Sequence, residues 1–198
     1  IQHIPGAATW CRKNRQVIWR HCYGYANLED SIEVADTTSF MLASISKTFV
    51  GTAIMQLWER GEFNLDEDIN NYLPFSVRNP NFPDSIITFR MIMTHTSSIH
   101  DNWGILNPLN LPGDPTIALG YFLNQYLVPG GIYYTTSSFN SHVPGSYYDY
   151  TNVGAALLGY LVEVIEDSFP VHCQDSIFKP LAMNHTSWFL AGLDTNNL

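Results

Sequence analysis

Two hydrophobic periods run along this chain. Residues 7–12 and 16–23 carry short β-type runs on either side of Lys13-Asn14-Arg15, a polar turn in which Asn accepts a positive φ, so the pattern predicts an antiparallel hairpin. With Asn14-Arg15 as a two-residue turn, Lys13 faces Gln16 and Cys11 faces Ile18. Over residues 44–60 the period changes. Phe49, Val50, Ala53, Ile54, Leu57 and Trp58 recur at helical spacing in a broad stripe, and Gly61 stands where a left-handed cap belongs. A stripe this wide predicts a central helix buried on most sides. Residues 152–167 repeat the helical period through Val153, Ala156, Leu157, Tyr160, Leu161, Val164 and Ile165.

Between these helices the chain is broken by Pro74, Pro80, Pro83, Pro108, Pro112 and Pro115. Short helices are expected over 89–94 and 117–127, and a Ser, Thr and Tyr-rich loop over 130–145. Early strands followed by helices imply an α/β layer with a mostly helical insertion. No repeat, low-complexity tract or separating linker interrupts it.

Composition narrows the function classes. The 198 residues carry 9 Lys and Arg against 18 Asp and Glu, a formal charge of −9. Phosphate binding needs clustered cations, so a nucleic-acid partner is excluded, and an anionic membrane surface is disfavoured in the same way. At 45% hydrophobic and 14% aromatic residues the chain can build a sizeable core. No run approaches the roughly 18 apolar residues of a membrane helix, so no transmembrane segment is expected, and residues 1–6 do not read as a signal peptide. Cys11, Cys22 and Cys173 match no zinc spacing and read as buried free thiols. No cofactor or metal is expected.

Candidate chemistry lies at two places. Ser44-Ile45-Ser46-Lys47 opens the first strong helix. Residues three apart share a helical face, so a Lys amine beside a Ser hydroxyl can act as its base, and the helix N-terminus favours a developing oxyanion. Ser176-Ile177-Phe178-Lys179 repeats the spacing, but Pro180 follows at once and marks that copy as structural. Tyr150-Thr151-Asn152 precedes the second strong helix. In extended backbone its phenol and amide project to one side, where Tyr can carry a proton and Asn can bind a carbonyl or orient the Lys. The plainer reading is a packing Tyr and a helix cap, and Tyr25-Ala26-Asn27 shows that the triplet is not unique. His95 reads as a loop-ordering residue, and Asp66-Glu67-Asp68 as a solvated turn.

The blocks from Phe40 to Pro74, from Ile87 to Ser98 (Ile-Thr-Phe-Arg-Met-Ile-Met-Thr-His-Thr-Ser-Ser), from Pro144-Gly145 to Asn152 and from Phe178 to Met183 closely resemble the class C β-lactamase and penicillin-binding-protein-like serine hydrolase family, in that family's order. The resemblance implies the fold class: α/β (α+β), an antiparallel sheet flanked by helices plus a mostly helical domain. It implies Ser44 as acylated nucleophile, Lys47 as its activating partner, Tyr150 as the catalytic Tyr and Asn152 as the substrate-contacting Asn. It implies a β-lactam, a D-amino-acid peptide or a small ester as substrate, and a periplasmic or secreted location. The alternative is a non-catalytic peptidoglycan- or peptide-binding module of the same fold.

The family's third element, a His- or Lys-containing strand motif ending in Gly, has no counterpart here. It is expected beyond Leu198, with downstream residues or a second chain completing the sheet. The divisions expected are 1–43 on the sheet side, 44–61 as the nucleophile helix, 62–170 as the helical domain and 171–198 as the return towards the sheet.

Overall fold

The computed structural model describes residues 4–193. These form two compact units, residues 4–42 with 192–193, and residues 43–191.

The first unit is a three-stranded antiparallel sheet in the order β1 (Gly6–Lys13), β2 (Gln16–Asn27), β3 (Ile32–Glu33). Asn14 and Arg15 both take positive φ, 49° and 67°, the twist-matched two-residue turn that holds a hairpin in register. Lys13 pairs with Gln16 as expected, but Cys11 pairs with Trp19 instead of Ile18. A bulge between Cys11 and Arg12 absorbs one residue of β2 and shifts every later pair. Cys22 consequently faces Ala8, three residues along the ladder from Cys11, or about 10 Å. A disulfide spans Cα atoms no more than about 7 Å apart, and all three cysteines are free, but only Cys173 is buried as expected, because Cys11 and Cys22 lie on the thin sheet, exposed and half-buried. Gly24, at φ 66°, accommodates a close backbone approach, since a Cβ there would sit 2.1 Å from the Pro5 carbonyl oxygen.

The second unit is helical. Its elements are α1 (Ser46–Glu59), α2 (Phe89–Met93), α3 (Trp103–Leu106), α4 (Leu119–Leu127), α5 (Asn152–Glu166) and α6 (Phe169–Cys173), linked by 3₁₀ turns and ordered loops. The core forms where α1 meets α5. Val50, Ala53, Ile54 and Leu57 of α1 are buried with Val153, Leu157 and Leu161 of α5, and α2 and α4 add Phe89, Ile92, Leu123, Tyr126 and Leu127. Phe63 stacks on Phe89 with ring centroids 3.9 Å apart.

Burial of α1 is one-sided, not all-round. Thr48, Thr52, Trp58 and Glu59 remain exposed, because only the stripe through Val50 to Leu57 meets other helices. Gly61 (φ 79°) ends this helix, donating to the Trp58 carbonyl at 2.9 Å. Thr151 begins α5, its hydroxyl accepting the Gly154 N–H at 3.1 Å. The ends of α1 and α5 that meet near the surface are the ones carrying Ser44 and Asn152.

Candidate active site

Ser44 lies in the 3₁₀ turn Ala43–Ile45 that leads into α1. The residue before it, Ala43, takes φ 46°, a left-handed conformation costing a non-glycine residue about 1–2 kcal/mol. Strain of this sort persists where surrounding structure over-determines a position, commonly at a functional site. One helical turn on, Lys47 Nζ donates to Ser44 Oγ at 3.3 Å and to Asn152 Oδ1 at 2.6 Å. Tyr150 OH donates to Ser44 Oγ at 2.9 Å. Lys47 Nζ also stands 4.8 Å from the centre of the Tyr150 ring, within cation–π range. The four residues singled out from sequence therefore share one hydrogen-bonded cluster, although 103 positions separate Lys47 from Tyr150. The hydrogen bond from Lys47, and then that of Ser44, hold the Tyr150 phenol below its ordinary value.

Two residues order the segment that carries Tyr150. His95, at φ 56°, accepts the Thr151 N–H on Nδ1 at 3.3 Å, and its carbonyl accepts the Asp149 N–H at 2.8 Å. Its ring lies 4.6 Å from that of Tyr150, centroid to centroid. Burial, and then the charge of Lys47, push the His95 pKa down, which keeps Nδ1 free to accept. Asp149 in turn accepts from Asn140 at 2.9 Å and meets His100 at 2.8 Å.

Asp101 escaped the sequence reading. Buried below α5, it accepts from Thr151 Oγ1, the Asn152 and Val153 N–H groups and Asn152 Nδ2. One signal could have found it: between Arg90 and Asp149 only Asp101 and Asp114 are charged. Asp114 likewise binds distant backbone, the N–H groups of Leu190 and Ala191. An isolated carboxylate in an uncharged stretch of a folded chain marks a tie to donors elsewhere.

The second Ser-x-x-Lys is spent differently. Lys179 bonds Asp175 at 2.6 Å, and Ser176 lies in a π-helical segment, Gln174–Phe178, with its carbonyl accepting from Gln56. In the second Tyr-x-Asn, Asn27 caps a turn by accepting from Glu29 and Asp30. Among the described residues no group of three or more His, Cys, Asp or Glu could hold a metal ion. Nor is any helix there long and apolar enough to cross a membrane.

A family model described as Beta-lactamase matches residues 1–197. Protein flp of Staphylococcus aureus (strain N315) is 30% identical over 191 residues, covering 94% of this chain and 35% of that protein. The octameric penicillin-binding protein homologue from Pyrococcus abyssi superposes at TM-score 0.77 and 23% identity, over 95% of this chain and 41% of that one. The β-lactamase/D-alanine carboxypeptidase from Yersinia pestis, complexed with citrate, superposes at 0.69 and 21%, over 92% and 50%. This chain thus spans 35% of the length of that curated relative.

Proposed function

The chain belongs to the β-lactamase family and has its mixed α/β, β-lactamase/transpeptidase-like fold, and from that premise we propose that it carries the nucleophilic half of a serine acyl-transfer site. Ser44 Oγ attacks a carbonyl carbon of a β-lactam, a D-amino-acid peptide or a small ester. Its proton passes to the Lys47–Tyr150 pair, and the carbon–nitrogen or carbon–oxygen bond of the substrate breaks. The leaving group takes the proton back, and water or another acceptor then cleaves the acyl ester on Ser44. The observation that carries this reading is the hydroxyl of Ser44 held between two proton carriers, Tyr150 OH at 2.9 Å and Lys47 Nζ at 3.3 Å. Asn152, with its Oδ1 on Lys47, orients that amine and stands ready to contact the substrate. The Ser44 N–H, at the head of α1, supplies one oxyanion donor, aided by the helix dipole.

The test is covalent labelling of the intact native protein with benzylpenicillin and with a fluorophosphonate, read by intact mass and peptide mapping. The adduct is expected on Ser44, to vanish in Ser44→Ala and to persist in Ser176→Ala. An adduct on Ser176 refutes the assignment. Reversible binding of a peptidoglycan peptide without any adduct favours the non-catalytic binding module.

A further inference from the structure

We infer that Asp101 is a positioning residue for this site, setting the direction of the Asn152 side-chain amide and, through it, the place of Lys47. This rests on the acyl-transfer reading of Ser44 and deepens it. Asp101 is 4% exposed, and none of the ion pairs among the described residues includes it. Its two oxygens take four hydrogen bonds. Oδ1 accepts from Thr151 Oγ1 at 2.7 Å and Val153 N at 3.0 Å. Oδ2 accepts from Asn152 N and Asn152 Nδ2, both at 2.8 Å. An acid that only caps α5 needs the backbone donors alone. The bond from Nδ2 does something further.

An asparagine amide is nearly symmetric in shape, with a donor at one end and an acceptor at the other. A carboxylate can only accept, so Asp101 fixes Nδ2 on its own side and leaves Oδ1 towards Lys47, 2.6 Å from Nζ. The bonds then run in one sense, Lys47 to Asn152 to Asp101, and each donor polarises the next. Turned the other way, Asn152 presents N–H to an amine that is itself a donor. Lys47 loses its anchor, and its 3.3 Å approach to Ser44 Oγ is no longer held.

Asp101→Asn is isosteric and exchanges one acceptor for a donor. Three N–H donors and the Thr151 hydroxyl then face a single oxygen, and the groups free to turn are that hydroxyl and the Asn152 side chain. Thr151→Val is the control. It deletes another of the four donors and the helix cap, lowering stability, but leaves the amide of Asn152 on Asp101. Both are compared with wild type in the intact native protein by stopped-flow acylation with a chromogenic cephalosporin. The Asn152 side-chain ¹H–¹⁵N amide signal, identified by its loss in Asn152→Asp, is followed for hydrogen exchange.

Asp101→Asn is expected to slow acylation on the order of 10²-fold, the scale of a misplaced reacting group. Its KM should rise by less than its acylation rate falls, since Asn152 meets the substrate through the same amide whereas Lys47 acts in the chemical step. Its Asn152 amide should lose the exchange protection seen in wild type and Thr151→Val. Equal acylation in Asp101→Asn and wild type, or a protected Asn152 amide in both, overturns the inference. If wild type forms no adduct at Ser44, the acyl-transfer reading fails, and the exchange comparison still decides whether Asp101 sets the amide.

Discussion

Replacing Tyr150 with Phe removes one oxygen and keeps the ring, which isolates the proton-carrying role. The ring is held independently of its hydroxyl, 4.6 Å from His95 and 4.8 Å from Lys47 Nζ. What disappears is the 2.9 Å bond to Ser44 Oγ. In the resting protein such a bond contributes about 0.5–1.5 kcal/mol net. Tyr150 is 43% exposed, so water replaces it and stability should change by no more than about 0.5 kcal/mol. A group that moves a proton in the transition state is instead worth about 10²–10⁴ in rate, or about 2.7–5.4 kcal/mol at 1.36 kcal/mol per decade. The two ranges are separate, so the size of the loss distinguishes a proton carrier from a ground-state contact. The assay is single-turnover acylation of Ser44 by a chromogenic cephalosporin and by a p-nitrophenyl ester, followed against pH. With the phenol held below its ordinary 10.0 by Lys47 and Ser44, a phenolate base makes the wild-type rate rise with pH through a midpoint below that value. The variant should lack this limb. A Tyr150→Phe rate within about threefold of wild type on its better substrate refutes the role.

Leu57→Ala empties a fully buried position where α1 meets α5, and denaturant unfolding should show a loss of about 2–5 kcal/mol. His95 has a depressed folded pKa, chiefly through burial, so its contribution to stability is complete above the ordinary value of about 6.5 and is lost as pH falls from there through the folded value. Melting temperatures between neutral and mildly acid pH should therefore fall more steeply in wild type than in His95→Gln. Cys173 is fully buried with its thiol raised to about 11 by burial. Iodoacetamide should modify exposed Cys11 in the native state and reach Cys173 only on unfolding, whereas a Cys11–Cys22 cross-link in non-reducing peptide maps would contradict the bulged register.

Much of this was legible from local pattern. Periodicity located α1 and α5 to within two residues, because a helix on a core repeats its apolar contacts at 3.6 residues. The Asn14-Arg15 turn fixed the start of the hairpin. The shift beyond it was hidden, because a bulge answers to the twist of paired strands and not to any residue type. The exposed face of α1 was over-read. Trp58 keeps the helical period yet stays exposed at 42%, and a hydrophobic residue on the surface is unexceptional. Ser44, Lys47, Tyr150 and Asn152 came forward through the family resemblance, because each short spacing occurs twice in the chain, and the structure joins the four by hydrogen bonds. Asp101 was missed because its partners lie 50–52 positions away and no motif relates them.

Where Asp101 stands says something about how the proposed chemistry stays possible. A carboxylate placed directly on Lys47 would form an ion pair, and a partly buried pair of that kind favours the charged lysine strongly. An amine locked as ammonium cannot take a proton from Ser44. Here a neutral amide is interposed: Lys47 meets Asn152 Oδ1, and the carboxylate lies on the far side of that side chain, on Nδ2. The amide passes on orientation while withholding the full charge. The four donors on Asp101 also satisfy a buried carboxylate without any cation, so its burial does not need Lys47 as a partner. The lysine is therefore anchored through a neutral amide and not by a direct ion pair. Asn152→Asp makes the contrast testable, since it sets a carboxylate directly against Lys47 Nζ. The anchor stays and the charge changes, so acylation should slow on the order of 10²-fold or more at neutral pH, the scale of a lost general base. An Asn152→Asp rate close to wild type would mean that Lys47 does not need to give up its proton.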